Sequence, residues 1–231
     1  MKNWLLFALA FAVSLAATAS LTSRVNAQNA SSIYRKLEHN RQSLKSLRAS
    51  ISMEKYNVQL RENETYQGVV RYMPAGRNAA SAFVWLEWKS PKHEILSVVN
   101  GKYILYEPRL NIAYVGNTRS MHNNEDNDVL KLINMSGAQL QSQFEPLQDI
   151  RNETLWGGVE TTHFTAVPKG AASYKYIEGW IDQEGMPVQT KMVEKNGDAT
   201  TIRLTNLERN ASMSTEDFIQ KLDASVKRVK S

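Results

Sequence analysis

The four histidines are the side chains best suited to acid–base or metal chemistry, and their spacing supports neither role. They are His39, His93, His122 and His163. No pair forms the His-x-His or His-Glu-x-x-His spacing that brings two imidazoles to one metal ion. The sequence contains no cysteine, which excludes a thiolate nucleophile, a disulfide and a cysteine-based zinc site. We therefore expect neither a metal site nor nucleophilic catalysis.

Other catalytic signatures are also missing from the sequence. It has no Gly-x-Ser-x-Gly motif, no phosphate loop and no dinucleotide fingerprint. The Asp- and Asn-rich stretch 122–128 resembles a calcium loop but lacks the required Gly and Glu, so Asp126 or Asn127 more simply caps a helix beginning near Val129. Enzymes that use a carboxylate pair carry no local signature and stay an open alternative. The sequence predicts a binding protein without a cofactor, and not an enzyme.

The N-terminal residues have the order of a secretory signal. Lys2 precedes an apolar stretch over 4–21, and Val25-Asn26-Ala27 places small residues where a signal peptidase cleaves. We expect a signal peptide over 1–27, cleavage after Ala27, and one periplasmic domain over 28–231; an uncleaved membrane anchor is the alternative. Removing 1–27 lowers the net charge from +5 to +3, and the only cationic cluster is at the C-terminus, so no nucleic-acid partner is expected.

Short apolar runs separated by turn residues predict a mainly β fold. Asn100-Gly101 and Asn196-Gly197 are strong hairpin signals, and connections this short require antiparallel neighbours. A helix is predicted at each end of the domain, the second starting at the capping sequence 214–217 and continuing to Val229. The long insertion 117–146, with helices predicted over 124–144, is interpreted as a lid. The eleven predicted strands are 50–60, 66–73, 81–89, 93–99, 102–107, 110–116, 147–155, 158–167, 173–182, 187–195 and 199–208.

The central strands are apolar on both faces, which demands cover on both sides of the sheet. Phe83-Val84-Trp85-Leu86, Ile95–Val99, Tyr103–Tyr106 and Ile112–Val115 show this pattern. A strongly curved sheet that forms an incomplete antiparallel barrel with lid and flanking helices would enclose such an apolar interior. A filled core without a cavity is the competing interpretation.

Several ordered segments resemble the periplasmic outer-membrane lipoprotein carriers of the LolA type. They are Leu44–Ala49 at the end of the first helix, Gln67–Arg71, the aromatic strand Phe83–Trp88, the hairpin Val99–Asn111 and the hairpin Trp180–Pro187. The resemblance covers about Ile33 to Leu222. It implies an incomplete barrel of about eleven strands with a helical lid, whose apolar cavity holds acyl chains.

The resemblance also implies a function in outer-membrane biogenesis. Such carriers are non-enzymatic chaperones that take a lipoprotein from an inner-membrane lipoprotein-releasing transporter and pass it to an outer-membrane acceptor. One residue departs from the pattern, because Val84 stands where these carriers place an arginine that ties the lid shut. Relatives that sense lipid or lipoprotein and regulate a partner are therefore the alternative. Expected cargo contacts are Phe83, Trp85, Ile95, Tyr103, Leu105, Tyr114 and Trp180, with Leu130, Ile133 and Met135 on the lid.

Overall fold

A single twelve-stranded sheet is the frame of the protein in the computed structural model, which describes residues 28–75, 81–118 and 133–230. In sheet order the strands run β12-β6-β5-β4-β3-β2-β1-β11-β10-β9-β8-β7, with the following bounds. They are β1 (Leu47–Asn57), β2 (Glu62–Met73), β3 (Phe83–Ser90), β4 (Glu94–Val99), β5 (Lys102–Glu107), β6 (Ile112–Asn117), β7 (Gln148–Leu155), β8 (Val159–Ala166), β9 (Tyr174–Asp182), β10 (Pro187–Glu194), β11 (Ala199–Arg209) and β12 (Lys227–Lys230).

The predicted fold class is confirmed. The sheet is not closed, and two helices accompany it, as an incomplete barrel requires. Strands β1 to β11 correspond one to one with the eleven predicted strands and pair antiparallel throughout. The first hairpin signal has its expected geometry: Asn100 and Gly101 both adopt positive φ, at 50° and 75°, in the tight turn between β4 and β5.

Helix α1 occupies residues 28–43, and helix α2 (Gly137–Gln143) follows the insertion. Ile33 and Leu37 of α1 pack with Phe164 and Ile181 in an apolar cluster over β8 and β9. The first strand was predicted to begin at residue 50, and Leu47 was assigned to the preceding helix. In the structure β1 begins three residues earlier, at Leu47, which has no exposed surface. No helix among the described residues is long and apolar enough to cross a membrane. The predicted signal, 1–27, lies outside these residues.

The predicted C-terminal helix is wrong. Ser214 and Asp217 do form the expected capping box, but it starts only a 3₁₀ turn, Thr215–Phe218. The chain then continues without helix to β12, which pairs parallel with β6. The Lys227 amide donates to the Asn111 carbonyl at 3.0 Å, where this pairing begins.

Edge pairing explains why the helical spacing of apolar residues was misleading. Without β12, the backbone groups on the outer side of β6 would stand unpaired at the edge of the sheet. Pairing them favours an extended backbone over the local helix preference, which is a weak determinant. Phe218 and Val226 are still buried, but they do not share a helix face, because Phe218 lies in the 3₁₀ turn and Val226 lies directly before β12.

The 3₁₀ turn fastens this C-terminal segment to the sheet. Phe218 has no exposed surface and lies 5.9 Å from the ring of Phe83, centroid to centroid. Its carbonyl accepts a hydrogen bond from Ser97 Oγ at 2.5 Å, and Arg71 Nη1 donates to the Asp217 carbonyl at 3.0 Å. The segment therefore covers the side of β3 and β4 that carries Phe83 and Ser97.

Phe218→Ala should lower the free energy of unfolding by about 3–5 kcal/mol, because the change leaves a cavity against Phe83. Ile219→Ala is the matched control, since the neighbouring side chain is 39% exposed and should lose less than about 1 kcal/mol. Urea denaturation followed by circular dichroism measures both. Equal effects of the two changes would contradict the packing described for Phe218.

Candidate functional site

The side of the sheet opposite the Phe218 segment carries one large apolar cluster, and we call it the inner face. Cross-strand pairs such as Met53–Tyr66 and Leu86–Leu96 keep their side chains on this one side. Its buried members on β1 to β5 and β11 are Leu47, Ala49, Ile51, Met53, Tyr66, Val70, Tyr72, Val84, Leu86, Trp88, Leu96, Val98, Tyr103, Ile202 and Leu204. They form a single cluster, which makes this face the candidate site for an apolar ligand.

Four of the predicted cargo contacts belong to this side or to its cluster. Tyr103 is buried in the cluster, and Leu105 is half-buried against it. Tyr114 is the cross-strand partner of Leu105, so the register places it on the same face, half-buried. Trp180 is a buried member of the cluster, and its ring centroid lies 4.7 Å from that of His163 with the two ring planes tilted by 58°.

The other three predicted contacts lie on the opposite side. Val84 and Leu86 face inward, and since side chains alternate along a strand, Phe83 and Trp85 face outward. Ile95 pairs with Glu87 and shares that outward side. Phe83 packs on Phe218, and the guanidinium of Arg71 lies 5.4 Å from the Trp85 ring centroid. The structure therefore does not bring these three together with Tyr103 and Leu105.

The end of the insertion returns over the inner face. Ile133 is buried in the inner-face cluster, and the Tyr72 hydroxyl donates a short hydrogen bond to Asn134 Oδ1. Met135 is half-buried and packs with the cluster under α1. The predicted lid residue Leu130 lies outside the described residues. Of the predicted lid, the described part thus contacts the sheet through Ile133 and Asn134.

Helix α2 holds this return in place. Ser136 caps it: the Gln139 amide donates to Ser136 Oγ at 3.1 Å, and the Ser136 amide donates to Gln139 Oε1 at 3.2 Å. Gly137 touches α1 so closely that a Cβ there would lie 2.5 Å from the Tyr34 carbonyl oxygen. Only glycine allows the two helices to approach this far.

Tyr72 lies beside Val84 on the inner face, as its cross-strand partner. Val84 is the position at which the resemblance to LolA-type carriers implies an arginine. Burial raises the pKa of Tyr72 to about 12, with a smaller opposing effect from Arg41. The phenol is therefore neutral at neutral pH and acts as a hydrogen-bond donor to Asn134, so the contact is a neutral one.

Ionisable side chains are few on the inner face: Glu94, the cross-strand partner of Trp88, is half-buried there, and burial together with the nearby Glu107 raises the pKa of its carboxyl group. His163 is buried, with Nδ1 3.0 Å from the Asp149 carbonyl oxygen, and His93 pairs with Glu87 at 3.1 Å. Across 28–75, 81–118 and 133–230, no three His, Asp or Glu side chains are grouped to hold a metal ion. A polar groove of about 600 Å³ beside α1 is lined by residues such as Lys36 and Arg209.

Solved structures share this fold. MucB, which has also been solved with MucA from Pseudomonas aeruginosa, matches with a TM-score of 0.56 and 12% identity over 87% of this chain and 65% of its own. An uncharacterised conserved protein from Thermus thermophilus matches at 0.54 and 10% over 87% and 99%. LprF from Mycobacterium bovis matches at 0.51 and 12% over 80% and 95%. No protein-family model and no curated protein sequence matches the chain.

At identities of 10–12% these likenesses establish the fold alone. The matched structures also include a LolA superfamily protein from Nitrosomonas europaea, at a TM-score of 0.39. The fold expected from the resemblance to the LolA type, an incomplete barrel with accompanying helices, is confirmed. The chain spans 65% of the length of MucB, so the activity and partners of that whole protein do not follow from the match.

Tyr72→Phe should loosen the end of the insertion while leaving the sheet intact. The change removes one neutral hydrogen bond, worth about 0.5–1.5 kcal/mol, and leaves Asn134 Oδ1 without this donor. Hydrogen exchange followed by mass spectrometry should show faster exchange over 133–136 and unchanged exchange in β1.

Tyr114→Phe is the control for this change, because Tyr114 is a half-buried tyrosine on the same face and belongs to β6 instead of β2. It should leave exchange over 133–136 as it is in the unmodified protein. The Tyr72–Asn134 contact would be shown irrelevant to the insertion if Tyr72→Phe and Tyr114→Phe gave the same exchange pattern.

Proposed function

We propose that this protein is a non-enzymatic periplasmic carrier that shields the acyl chains of a lipoprotein or lipid during transfer towards the outer membrane. The apolar cluster of the inner face is the observation that carries the proposal, because an open sheet with one large apolar surface can exchange its cover for acyl chains. The partners proposed with it are an inner-membrane lipoprotein-releasing transporter and an outer-membrane acceptor.

The chemistry of the inner face supports binding over catalysis. Its clustered side chains are apolar apart from the phenols of Tyr66, Tyr72 and Tyr103 and the indole nitrogens of its tryptophans. Acyl chains need no specific polar partner, and each buried methylene contributes about 0.8 kcal/mol. Acid–base catalysis instead needs titratable groups in mutual reach within a cleft.

The Tyr72–Asn134 contact suits a carrier that opens readily. A neutral hydrogen bond contributes about 0.5–1.5 kcal/mol, whereas a bond to a charged group contributes about 1.5–3 kcal/mol. With Val84 in place of the family arginine, the end of the insertion is therefore held more weakly than a charged tie would hold it. Cargo that displaces the insertion then has to overcome a smaller free energy.

A lipid- or lipoprotein-sensing regulator is the second candidate, favoured by the match to MucB, which has been solved in complex with MucA. A sensor would bind a protein partner stably and release it when lipid occupies the inner face. Carrier and sensor differ in a measurable way, because only a carrier hands its lipid to an acceptor membrane or protein.

Purification without detergent, followed by native mass spectrometry and lipid extraction, tests the function directly. The carrier proposal expects acylated cargo to co-purify and to leave on incubation with acceptor membranes. Cargo that stays bound while a protein partner dissociates would favour the sensor. A protein that never carries an acyl chain would end both proposals.

Leu105→Asn should reduce the amount of co-purified acyl lipid severalfold, because Leu105 is half-buried on the inner face beside Tyr103. Ile104→Asn is its matched control: the adjacent residue on β5 is equally half-buried but pairs with Ser97 and Val115 on the outer side. Lipid content per protein, measured by mass spectrometry on folded samples, separates the two. Equal loss in both variants would argue against cargo on the inner face.

Export is proposed together with the carrier function. Protein from a fractionated cell should begin at Gln28 and occur in the periplasmic fraction, since Val25-Asn26-Ala27 has the small residues that signal peptidase requires. N-terminal sequencing measures this. An Ala27→Lys variant should accumulate uncleaved at the inner membrane, and processed protein from that variant would show that cleavage occurs elsewhere.

A further inference from the structure

A polar groove of about 600 Å³ lies between helix α1 and the turn that joins β9 to β10. Helix α1 supplies one wall through side chains spaced three or four residues apart, which therefore lie on one face of the helix. They are Ser32, Arg35, Lys36, His39, Asn40 and Ser43. Gln183 and Glu184 of the turn and Arg209 at the end of β11 form the opposite wall. We call this the α1 groove.

The walls of the α1 groove are joined by a close backbone contact. Gly185 has a φ of 84°, and a Cβ there would lie 2.2 Å from the Lys36 carbonyl oxygen, so only glycine allows the turn to touch the helix. Asp182 Oδ1 accepts a hydrogen bond from the Glu184 amide at 3.0 Å. Arg209 donates to the carboxylates of both Asp182 and Glu184. The fold itself therefore fixes the position of the opposite wall.

The α1 groove adjoins the inner face. Leu44 lines the groove and is also a buried member of the inner-face cluster. In the sheet, Leu47 pairs with Tyr72 on one side and with Arg209 on the other, so the register places Arg209 on the inner side, two strands from Tyr72. The groove thus lies at the end of the inner face where Tyr72 holds the insertion through Asn134. A ligand with its acyl chains on the inner face can place its polar end in this groove.

Polar groups in the α1 groove have unmet hydrogen-bonding capacity. The Asn40 side chain is 5% exposed, and its only hydrogen bond within the described residues is the one that Nδ2 donates to the Met186 sulfur, a weak acceptor, at 3.5 Å. Arg209 Nε is buried without a partner in the described part of the chain. Because an unpaired buried polar group costs free energy, most such groups in native proteins are paired with protein, water or a ligand. Asn40 and Arg209 therefore indicate an occupant of the groove.

The two walls of the α1 groove differ in charge. Residues 28–43 of α1 carry three basic side chains and one acidic one, whereas the opposite wall, 182–185 with Arg209, carries two acidic side chains and one basic one. The side chains of Arg35, Lys36 and His39 have no hydrogen-bond or ion-pair partner among the described residues. The neighbouring carboxylates are each hydrogen-bonded to another side chain: Glu38 to Arg41, Glu160 to Gln183, Asp182 and Glu184 to Arg209, and Glu208 to Arg48. The unpaired cations of the groove are thus on α1, where they suit an anionic group.

We propose that the α1 groove binds the headgroup of a phospholipid whose acyl chains lie on the inner face, with the phosphate against Arg35 and Lys36. The inference rests on the proposed carrier function and specifies its cargo, because a phospholipid carries a phosphate beside its acyl chains, whereas the diacylglyceryl anchor of a lipoprotein carries none. Arginine and lysine donate charge-assisted hydrogen bonds to phosphate oxygens. In this arrangement the hydroxyl groups of a glycerol headgroup donate to Asn40 Oδ1 and to the Glu184 carboxylate on the opposite wall.

Displacement of an uncharged fluorescent acyl ester from the purified full chain tests the proposal. Dioctanoyl phosphatidylglycerol should displace this probe at a concentration at least about tenfold lower than dioctanoylglycerol, which has the same acyl chains and no phosphate, because a hydrogen bond to a charged group contributes about tenfold or more in affinity. In the double variant Arg35→Gln, Lys36→Gln this preference for phosphatidylglycerol should be lost. The variant should keep the unfolding midpoint of the unmodified protein, since neither side chain has a partner among the described residues.

The double variant Arg41→Gln, Lys45→Gln is the matched control, because it removes the same charge from neighbouring exposed positions that do not line the groove. It should keep the preference for phosphatidylglycerol. Equal displacement by the two lipids in the unmodified protein, or equal loss of preference in the two double variants, would overturn the headgroup site and leave the carrier function intact. Inorganic phosphate that abolishes the preference at the same concentration would identify a site for free phosphate and overturn it too. A chain that binds neither the probe nor either lipid would contradict the carrier function, and the headgroup site with it.

Discussion

The need to cover both apolar faces of β3 and β4 determines how the rest of the chain is used. Phe83 and Val84 are adjacent, point to opposite sides and are both buried. The outer side is covered by the chain after β11, through Phe218 and its hydrogen bond from Ser97. The inner side is covered in part by Leu44, directly after α1, and by Ile133 of the returning insertion. The two covers differ in how they are held. The outer one continues into β12, which pairs with β6, whereas the insertion on the inner side is held by the Tyr72–Asn134 hydrogen bond.

The strands were predictable from the sequence because their signals are local. A pair such as Asn100-Gly101 both ends one strand and starts the next, whatever the remaining chain does. The inward side of the central strands was not predictable, because it depends on pairing with neighbouring strands and not on a local signal. Phe83-Val84-Trp85-Leu86 carries no alternation, and register alone selects Val84 and Leu86 for the inner face. In β1 the alternation of Leu47, Ala49, Ile51 and Met53 with polar residues was an available signal, and all four are buried inward.

The C-terminal segment failed as a prediction because its structure depends on a distant partner. Its apolar spacing and its capping box both favour a helix, and the capping box does form. What the local sequence cannot express is the unpaired edge of β6, more than a hundred residues away, which β12 satisfies by parallel pairing. The exposed residues of β12, Lys227, Arg228 and Lys230, then place positive charge on the new edge. Charge there opposes the pairing of a further strand from another molecule.

The weak tie at Tyr72 has a consequence for how a carrier of this design would release its cargo. Ten buried methylenes of an acyl chain contribute roughly 8 kcal/mol, several times the contribution of one neutral hydrogen bond of about 1 kcal/mol. Opening or closing the Tyr72–Asn134 contact therefore changes cargo affinity by less than about tenfold. In the proposed carrier, release would then depend on an acceptor that offers the acyl chain an equally apolar environment, and the direction of transfer would be set outside the protein. A chain with valine at position 84 suits that arrangement, because its inner face stays apolar whether the insertion is tied or free.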